Sequence, residues 1–285
     1  MPARIWAIFP LFLSMTTVLG AAVQFEAKRD IEFCQVDGVS LRMDAFLPRN
    51  VENVPAAIIV HGGGWVRGGR RTDVTPLFAP LNEAGFAWFS IDYRLISNVT
   101  QFGYGIDDVE SAVRFIRSHT SEFHIDPDKL VLIGESAGGQ LAAMAALRLP
   151  AKENVKAVVA LYTPTDLVTL LKNSNYVPAQ IRSSVEGTPW ENIVLAGLAR
   201  LSPIENVRRD MPPFLFIHGT ADPLVPFEQS TAMCRRMKQA GASCQVFALN
   251  GAGHGIRWWE SSARYHVYKR TMTDWLHAQL GMAIS

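Results

Sequence analysis

Apolar runs too short to be helices recur along the chain at 56–60, 87–91, 130–133, 157–161, 214–217 and 245–248. Stretches of helical character lie at 76–84, 105–118, 140–149, 227–240 and 263–280. Continuous apolar runs of this length are strands buried on both faces, and strands that alternate with helices are joined by crossovers. The pattern predicts an α/β fold, a mostly parallel central sheet with helices on both faces. Ahead of it, "RDIEFCQVDGVSLRMDAFLP" places two alternating runs around Asp37 and Gly38, which predicts an antiparallel hairpin. The regular alternation fails only across 165–209, which holds Tyr176, Pro178, Pro189, Trp190 and Pro203. That stretch is expected to be a small lid inserted over the strand ends of a single domain, 23–285. In open sheets of this kind the ligand site lies at the carboxyl ends of the strands.

One strand-to-helix junction stands out. In "VLIGESAGGQLAAMAAL", residues 131–147, an apolar run turns into an alanine-rich helix through a knot of small residues. Gly134, Ala137, Gly138 and Gly139 leave room for a tight bend and put the hydroxyl of Ser136 at its tip. The spacing is that of a nucleophile elbow. The plainer reading is a glycine-rich turn with Ser136 capping the helix.

A serine hydroxyl becomes a useful nucleophile when a base takes its proton and a carboxylate holds that base in place. Two further strand ends offer both: "FLFIHGTADPLVP" carries Asp222 and "CQVFALNGAGHGI" carries His254. Among the histidines, His119 and His124 lie on or just after a helix, His266 and His277 lie in the C-terminal helix, and His218 ends a strand. His254 alone sits between glycines, Gly253 and Gly255. Asp222 is favoured as the acid because Pro223 and Pro226 stiffen its loop; Asp166, which also follows a strand, is the alternative. The attacked carbonyl further needs N–H donors for its oxygen, worth about 3–4 kcal/mol per donor. "AAIIVHGGGWVRGG" supplies them: Gly63 and Gly64 are expected to form the oxyanion hole with the amide of Ala137, the Trp65 amide being the alternative, and His61 to be a structural partner of that loop.

Composition narrows the remaining choices. The chain has 285 residues and a net charge of +1, with no Lys/Arg-rich tract, so nucleic-acid binding, which depends on neutralising phosphates, is not expected. Arg4, an apolar stretch at 5–19 and small residues at 20–22 have the layout of a secretory signal peptide, 1–22, cleaved near Ala22. The apolar run is short for a bilayer span of about 20 residues, so an exported protein with no stable membrane insertion after cleavage is expected. Export would expose Cys34, Cys234 and Cys244 to oxidation; a Cys234–Cys244 bridge between a helix and the next strand is open, leaving Cys34 over.

HGGGW, GESAGG, HGTADPLVP and GAGHG, in this order, resemble the α/β-hydrolase superfamily, and in particular its esterase/lipase branch with an HGGG oxyanion loop. "IDYRL" from Ile91 is similar to hormone-sensitive-lipase-like esterases, although the Ala-Pro-Glu that usually continues it is replaced by Ile96-Ser97-Asn98. "GIDDVESAVRFI" resembles exported bacterial esterases grouped with feruloyl and acetylxylan esterases. The resemblance implies an α/β-hydrolase fold and ester hydrolysis through an acyl-enzyme on Ser136, His254 and Asp222. It calls for no cofactor and no metal, and implies a small-molecule ester or an esterified polysaccharide as substrate. Trp65, Tyr104, Trp190 and Trp258, with Phe102, Tyr176 and Trp259, are expected to form an aromatic wall for a phenolic or sugar group; core packing under the loops is the competing reading. A serine peptidase or amidase would use the same triad, an arylformamidase is similar to this branch, and a non-catalytic binding protein on the same scaffold is the reading outside enzymology.

Overall fold

A computed structural model describes residues 24–97, 101–173 and 182–283. The expected signal segment, Tyr176, Pro178 and Asn98 lie outside the described residues. Eight strands form one sheet: β1 (Phe25–Val36), β2 (Val39–Pro48), β3 (Val54–Val60), β4 (Ala87–Ile91), β5 (Ile125–Glu135), β6 (Ala157–Leu161), β7 (Phe214–Gly219) and β8 (Cys244–Leu249). Their spatial order is β1-β2-β4-β3-β5-β6-β7-β8. The β1–β2 hairpin and the β2–β4 pair are antiparallel, and every pairing from β4 through β3 to β8 is parallel. Asp37 and Gly38 turn the hairpin, both with positive φ (51° and 77°), the conformation a two-residue turn between twisted strands requires.

The helices are α1 (Phe78–Glu83), α2 (Tyr104–Ser118), α3 (Thr120–Phe123), α4 (Ala137–Arg148), α5 (Leu167–Asn173), α6 (Glu191–Arg200), α7 (Glu228–Gln239), α8 (Ile256–Glu260) and α9 (Val267–Gln279). They cover the sheet in two layers. In β3, Ala56, Ile58 and Val60 point into a core shared with α2, α4 and α7, whereas Ala57 and Ile59 point into the opposite core under α1, α8 and α9. This period of two explains why β3, β4, β6 and β7 read as unbroken apolar runs: both faces of each strand are dry. Helix α4 is buried from Ala137 to Leu147, and its alanines let it lie close to β5 and β6.

Boundaries differ from the sequence-based expectation in three places. β5 begins at Ile125, and α4 begins at Ala137 directly after Ser136, because the elbow leaves no linker. The helix expected at 263–280 is a 3₁₀ turn, Ala263–Tyr265, followed by α9. Residues 165–209 carry α5, α6 and a 3₁₀ turn at Pro203–Asn206, which packs on α4.

Cys234 on α7 and Cys244 on β8 are joined by a disulfide, their Cα atoms 5.5 Å apart, while Cys34 is free and half-buried. A crosslink ten residues apart removes loop-closure entropy of about 2.5–3 kcal/mol from the unfolded chain. The Cys234→Ala/Cys244→Ala variant is accordingly expected to lose about 2–3 kcal/mol in urea unfolding; an unchanged midpoint would mean that the bridge contributes nothing.

Candidate active site

The nucleophile candidate owes its place to one bend. β5 ends at Glu135, Ser136 adopts φ 51° and ψ −120°, and α4 starts at the next residue. A left-handed φ is costly for any residue other than glycine and is held here by the packing around it. The N–H of Ser136 donates to the carbonyl of Leu161 on β6 (2.9 Å), which anchors the bend to the sheet. The bend brings the first turn of α4 against the end of β3: a Cβ on Gly138 would sit 2.2 Å from the carbonyl oxygen of His61 and 2.4 Å from that of Val60. Neither neighbour can move without shifting the loop after β3. Gly138→Ala is expected to cost about 3 kcal/mol, the upper part of the overpacking range, read by thermal melting.

Three loops converge on Ser136. Its Oγ lies 3.0 Å from Nε2 of His254, in the loop after β8, and Nδ1 of His254 lies 2.7 Å from Oδ2 of Asp222, in the loop after β7. The Asp222 side chain is fully buried, and its other oxygen, Oδ1, accepts the N–H groups of Leu224 and Val225, both at 2.9 Å. His218 stands behind it, with Nε2 3.3 Å from Asp222 Oδ2 and 2.9 Å from the carbonyl of Val225, and with Nδ1 2.7 Å from the Ser230 hydroxyl. Burial alone would raise the Asp222 pKa; the hydrogen bonds from His218 and His254, with the Val225 N–H, outweigh it and hold the carboxyl well below the usual carboxylate range. Asp166, the alternative acid, instead accepts the Thr169 N–H (2.9 Å) in the first turn of α5.

The loop after β3 runs through Gly63 (φ 106°), Gly64 (φ 62°) and Trp65 (φ 65°). Its entry is pinned on both sides of Gly62. The Gly62 N–H donates to Oε1 of Glu135 (2.7 Å), and the Gly62 carbonyl accepts the Tyr93 hydroxyl (3.1 Å) and lies 2.7 Å from His61 Nδ1. Burial pushes the His61 pKa down, consistent with a neutral ring that serves the loop. Ala137 occupies the first helical position, where an N–H has no partner within its helix.

Gly63, Gly64 and Ala137 line, with Ser136 and His254, a cavity of about 480 Å³. Pro164, Leu170, Leu224 and Val225 give it an apolar side; Arg67, Asp73 and Arg257 give it a charged one, where Arg257 Nε and Asp73 Oδ1 pair at 2.8 Å. Of the aromatic residues expected at the site, Trp65 and Trp258 line this cavity. The Trp65 indole N–H donates to Gln140 (2.9 Å), whose amide donates to the Leu201 carbonyl (2.8 Å).

Tyr104 and Trp190 do not line this cavity. Tyr104 opens α2, and its ring lies against the Arg94 guanidinium (4.6 Å), which Asp108 holds in place. Trp190 precedes α6 with its ring turned to solvent, 66% exposed. Both sit near strand-end loops in the chain, but nearness in sequence leaves the direction of a side chain open. Phe102 packs on the far side of Trp65 (5.0 Å), and Trp259 is fully buried.

Sequence reasoning missed His218, Glu135, Tyr93 and Tyr162 as parts of the site. Glu135 and His218 were in view, beside the serine and at the end of β7, yet only the folded chain shows which way they face. Among the described residues no group of three or more His, Cys, Asp or Glu could hold a metal ion, and no helix is long and apolar enough to cross a membrane.

A family model described as BD-FAE matches residues 43–237. Esterase LipC of Mycobacterium tuberculosis is 33% identical over 71% of this chain and 53% of its own length. The chain spans about half the length of the curated relatives it matches first. Among solved structures, a truncated carbohydrate esterase from gut microbiota superposes with a TM-score of 0.74 at 26% identity, covering 90% of this chain and 97% of that one. The butyrate-bound thermophilic esterase of Thermogutta terrifontis superposes with a TM-score of 0.71 at 26% identity, over 92% of this chain and 95% of its own.

Proposed function

The chain belongs to the BD-FAE family and has the fold of its esterase neighbours, and from that premise we propose that it is a serine carboxylesterase acting on short-chain or carbohydrate- or phenolic-linked esters. The observation that carries this reading is the continuous line from Ser136 Oγ through His254 to the buried Asp222 carboxylate, opening onto the same cavity as Gly63, Gly64 and Ala137.

Ser136 Oγ attacks the ester carbonyl as its proton passes to His254 Nε2, and the carbonyl oxygen takes up the electron pair. The N–H groups of Gly63, Gly64 and Ala137 stabilise that oxyanion. Collapse of the tetrahedral species expels the alcohol, which takes the proton from His254, and leaves Ser136 acylated. Water repeats the sequence: His254 accepts its proton, the oxyanion forms again, and the carboxylic acid departs as Oγ is reprotonated. Asp222 keeps Nδ1 protonated and offsets the charge of the imidazolium in both halves.

The apolar side formed by Pro164, Leu170, Leu224 and Val225 supports a short acyl group, and the charged side with Trp65 and Trp258 supports a hydroxylated or aromatic alcohol. The neighbours named above, a carbohydrate esterase and an esterase holding butyrate, support a carbohydrate-linked or short-chain ester as the substrate class. The reading includes export with cleavage near Ala22, which the Cys234–Cys244 bridge supports.

A fluorophosphonate probe is expected to add once, at Ser136, and peptide mapping of exported protein to find a new N-terminus near residue 22. Folded protein that resists the probe would remove the serine mechanism. On a panel of acetyl, butyryl, octanoyl and feruloyl esters and acetylated xylan, turnover is expected to fall from butyryl to octanoyl. An ester should be cleaved far faster than its matched amide; the reverse order would make the protein an amidase.

A further inference from the structure

We propose that Glu135 is a positioning residue: a single buried carboxylate that couples the oxyanion loop to the histidine loop, so that hole and base are set together. The inference rests on the esterase reading above and assigns to that site a group with no part in proton or acyl transfer.

Glu135 is buried, 5% exposed, at the last position of β5, and its two oxygens face different loops. Oε1 accepts the Gly62 N–H at 2.7 Å. Oε2 accepts the hydroxyl of Tyr162, which follows β6, and the same Tyr162 oxygen accepts the N–H of Ile256 at 3.0 Å. The Tyr162 ring meets the His254 ring edge-on at 4.6 Å. One chain of hydrogen bonds therefore runs from Gly62 through Glu135 and Tyr162 to Ile256, two residues beyond His254. Every polar atom in it is used: the tyrosine oxygen accepts once and donates once, and both carboxylate oxygens accept.

This chain bears on the oxyanion hole through peptide geometry. A trans peptide points its C=O and the following N–H in opposite directions. With the Gly62 N–H held by Glu135 and the Gly62 carbonyl held by Tyr93, the peptide that carries the Gly63 N–H is fixed, and that N–H is turned away from Tyr93. A Cβ on Gly62 would lie 2.7 Å from Glu135 Oε1, so the two residues are in closest contact. Tyr162 holds φ 38°, a left-handed backbone that a bulky residue keeps only under constraint. The link to Glu135 and Ile256 constrains this segment together with the Tyr162 N–H, which donates to the Ile217 carbonyl (2.9 Å).

The test compares the wild type with Glu135→Gln, Tyr162→Phe and the double variant, on a p-nitrophenyl ester. Glutamine preserves the acceptor for Gly62, but its amide donates to a tyrosine oxygen that already accepts from Ile256, which leaves the hydroxyl proton without a partner. Phenylalanine cuts the link from the other end. Each variant is expected to lose kcat by about 10–100-fold, the scale of a misplacement near 1 Å and less than the ~10²–10³-fold loss of a whole oxyanion donor. KM should stay within about threefold: Glu135 lines the cavity, but both its oxygens are taken by Gly62 and Tyr162 and neither is offered to a ligand. A trifluoromethyl ketone, which forms the oxyanion adduct, should weaken in parallel with kcat, while butyrate as a product inhibitor should not. The double variant should resemble the worse single variant, since both break one chain.

A role confined to stability would lower the melting temperature and leave the ketone-to-butyrate ratio unchanged, and that result would overturn the proposal. Multiplying losses in the double variant would overturn it as well. If Glu135→Gln does not fold, Tyr162→Phe reads the same coupling alone. Failure of the esterase reading is separate, because the wild type itself would then neither turn over the ester nor take up a fluorophosphonate.

Discussion

Ser136→Ala is expected to lower kcat on p-nitrophenyl acetate by about five to six orders of magnitude, because triad members act as a unit. In the proposed mechanism the hydroxyl forms the covalent bond, and its Oγ is the atom that meets His254 Nε2, at 3.0 Å. What remains should be roughly 10³-fold over water, supplied by the oxyanion donors and by binding. KM should change little, since the lining of the cavity is intact. A companion variant, Ser136→Gly, separates chemistry from backbone strain: glycine accepts φ 51° freely, so this variant should melt higher than the alanine one and be equally inactive. Near-normal turnover in either would exclude Ser136 as the nucleophile.

Asp222→Asn comes next in size, with an expected loss of about 10⁴-fold in kcat. The carboxylate accepts at every oxygen, from His254, His218, Leu224 and Val225. An asparagine whose oxygen keeps the two backbone donors turns its NH₂ toward His254 Nδ1. The ring must then accept at Nδ1 and carry its proton at Nε2, where Ser136 needs an acceptor. Stability should respond with a definite sign. The folded pKa of Asp222 lies below its unfolded value, so its contribution is complete above the ordinary carboxylate range and is lost as pH falls through the folded value. Asp222→Asn should therefore be less stable than the wild type at neutral pH, and the gap should close in acid; a gap that widened in acid would contradict the assignment of a favourably bonded carboxylate.

Much of this architecture is legible in the chain because its signals are local. A run such as 157–161 is apolar at every position since both faces of β6 are covered, and the Asp37-Gly38 turn announces itself by residues that tolerate positive φ. The elbow can be read for the same reason: Gly134 and Gly138 stand where backbones touch. What could not be read is orientation across loops. Tyr104 and Trp190 were expected in the aromatic wall from their neighbours in the sequence, but Arg94 claims one ring and solvent the other. Glu135 lies beside the serine, and its importance depends on Gly62 and Tyr162, from strands whose adjacency to β5 is a property of the sheet order. The same holds for His218, whose ring meets Asp222 only after the loop beyond β7 folds back.

The left-handed backbone at Trp65, Ser136 and Tyr162 has a consequence for anyone who tries to harden this protein against heat. Each of these residues holds a conformation worth on the order of 1–3 kcal/mol of relief if released. Directed evolution selected on survival at high temperature alone will find that relief first at 136, where glycine gives up only a hydroxymethyl group; at 162 the fully buried ring, bonded to Glu135 and Ile256, is worth more than the strain it holds. The survivors will be sturdier and slower, so such a screen must count product at every round.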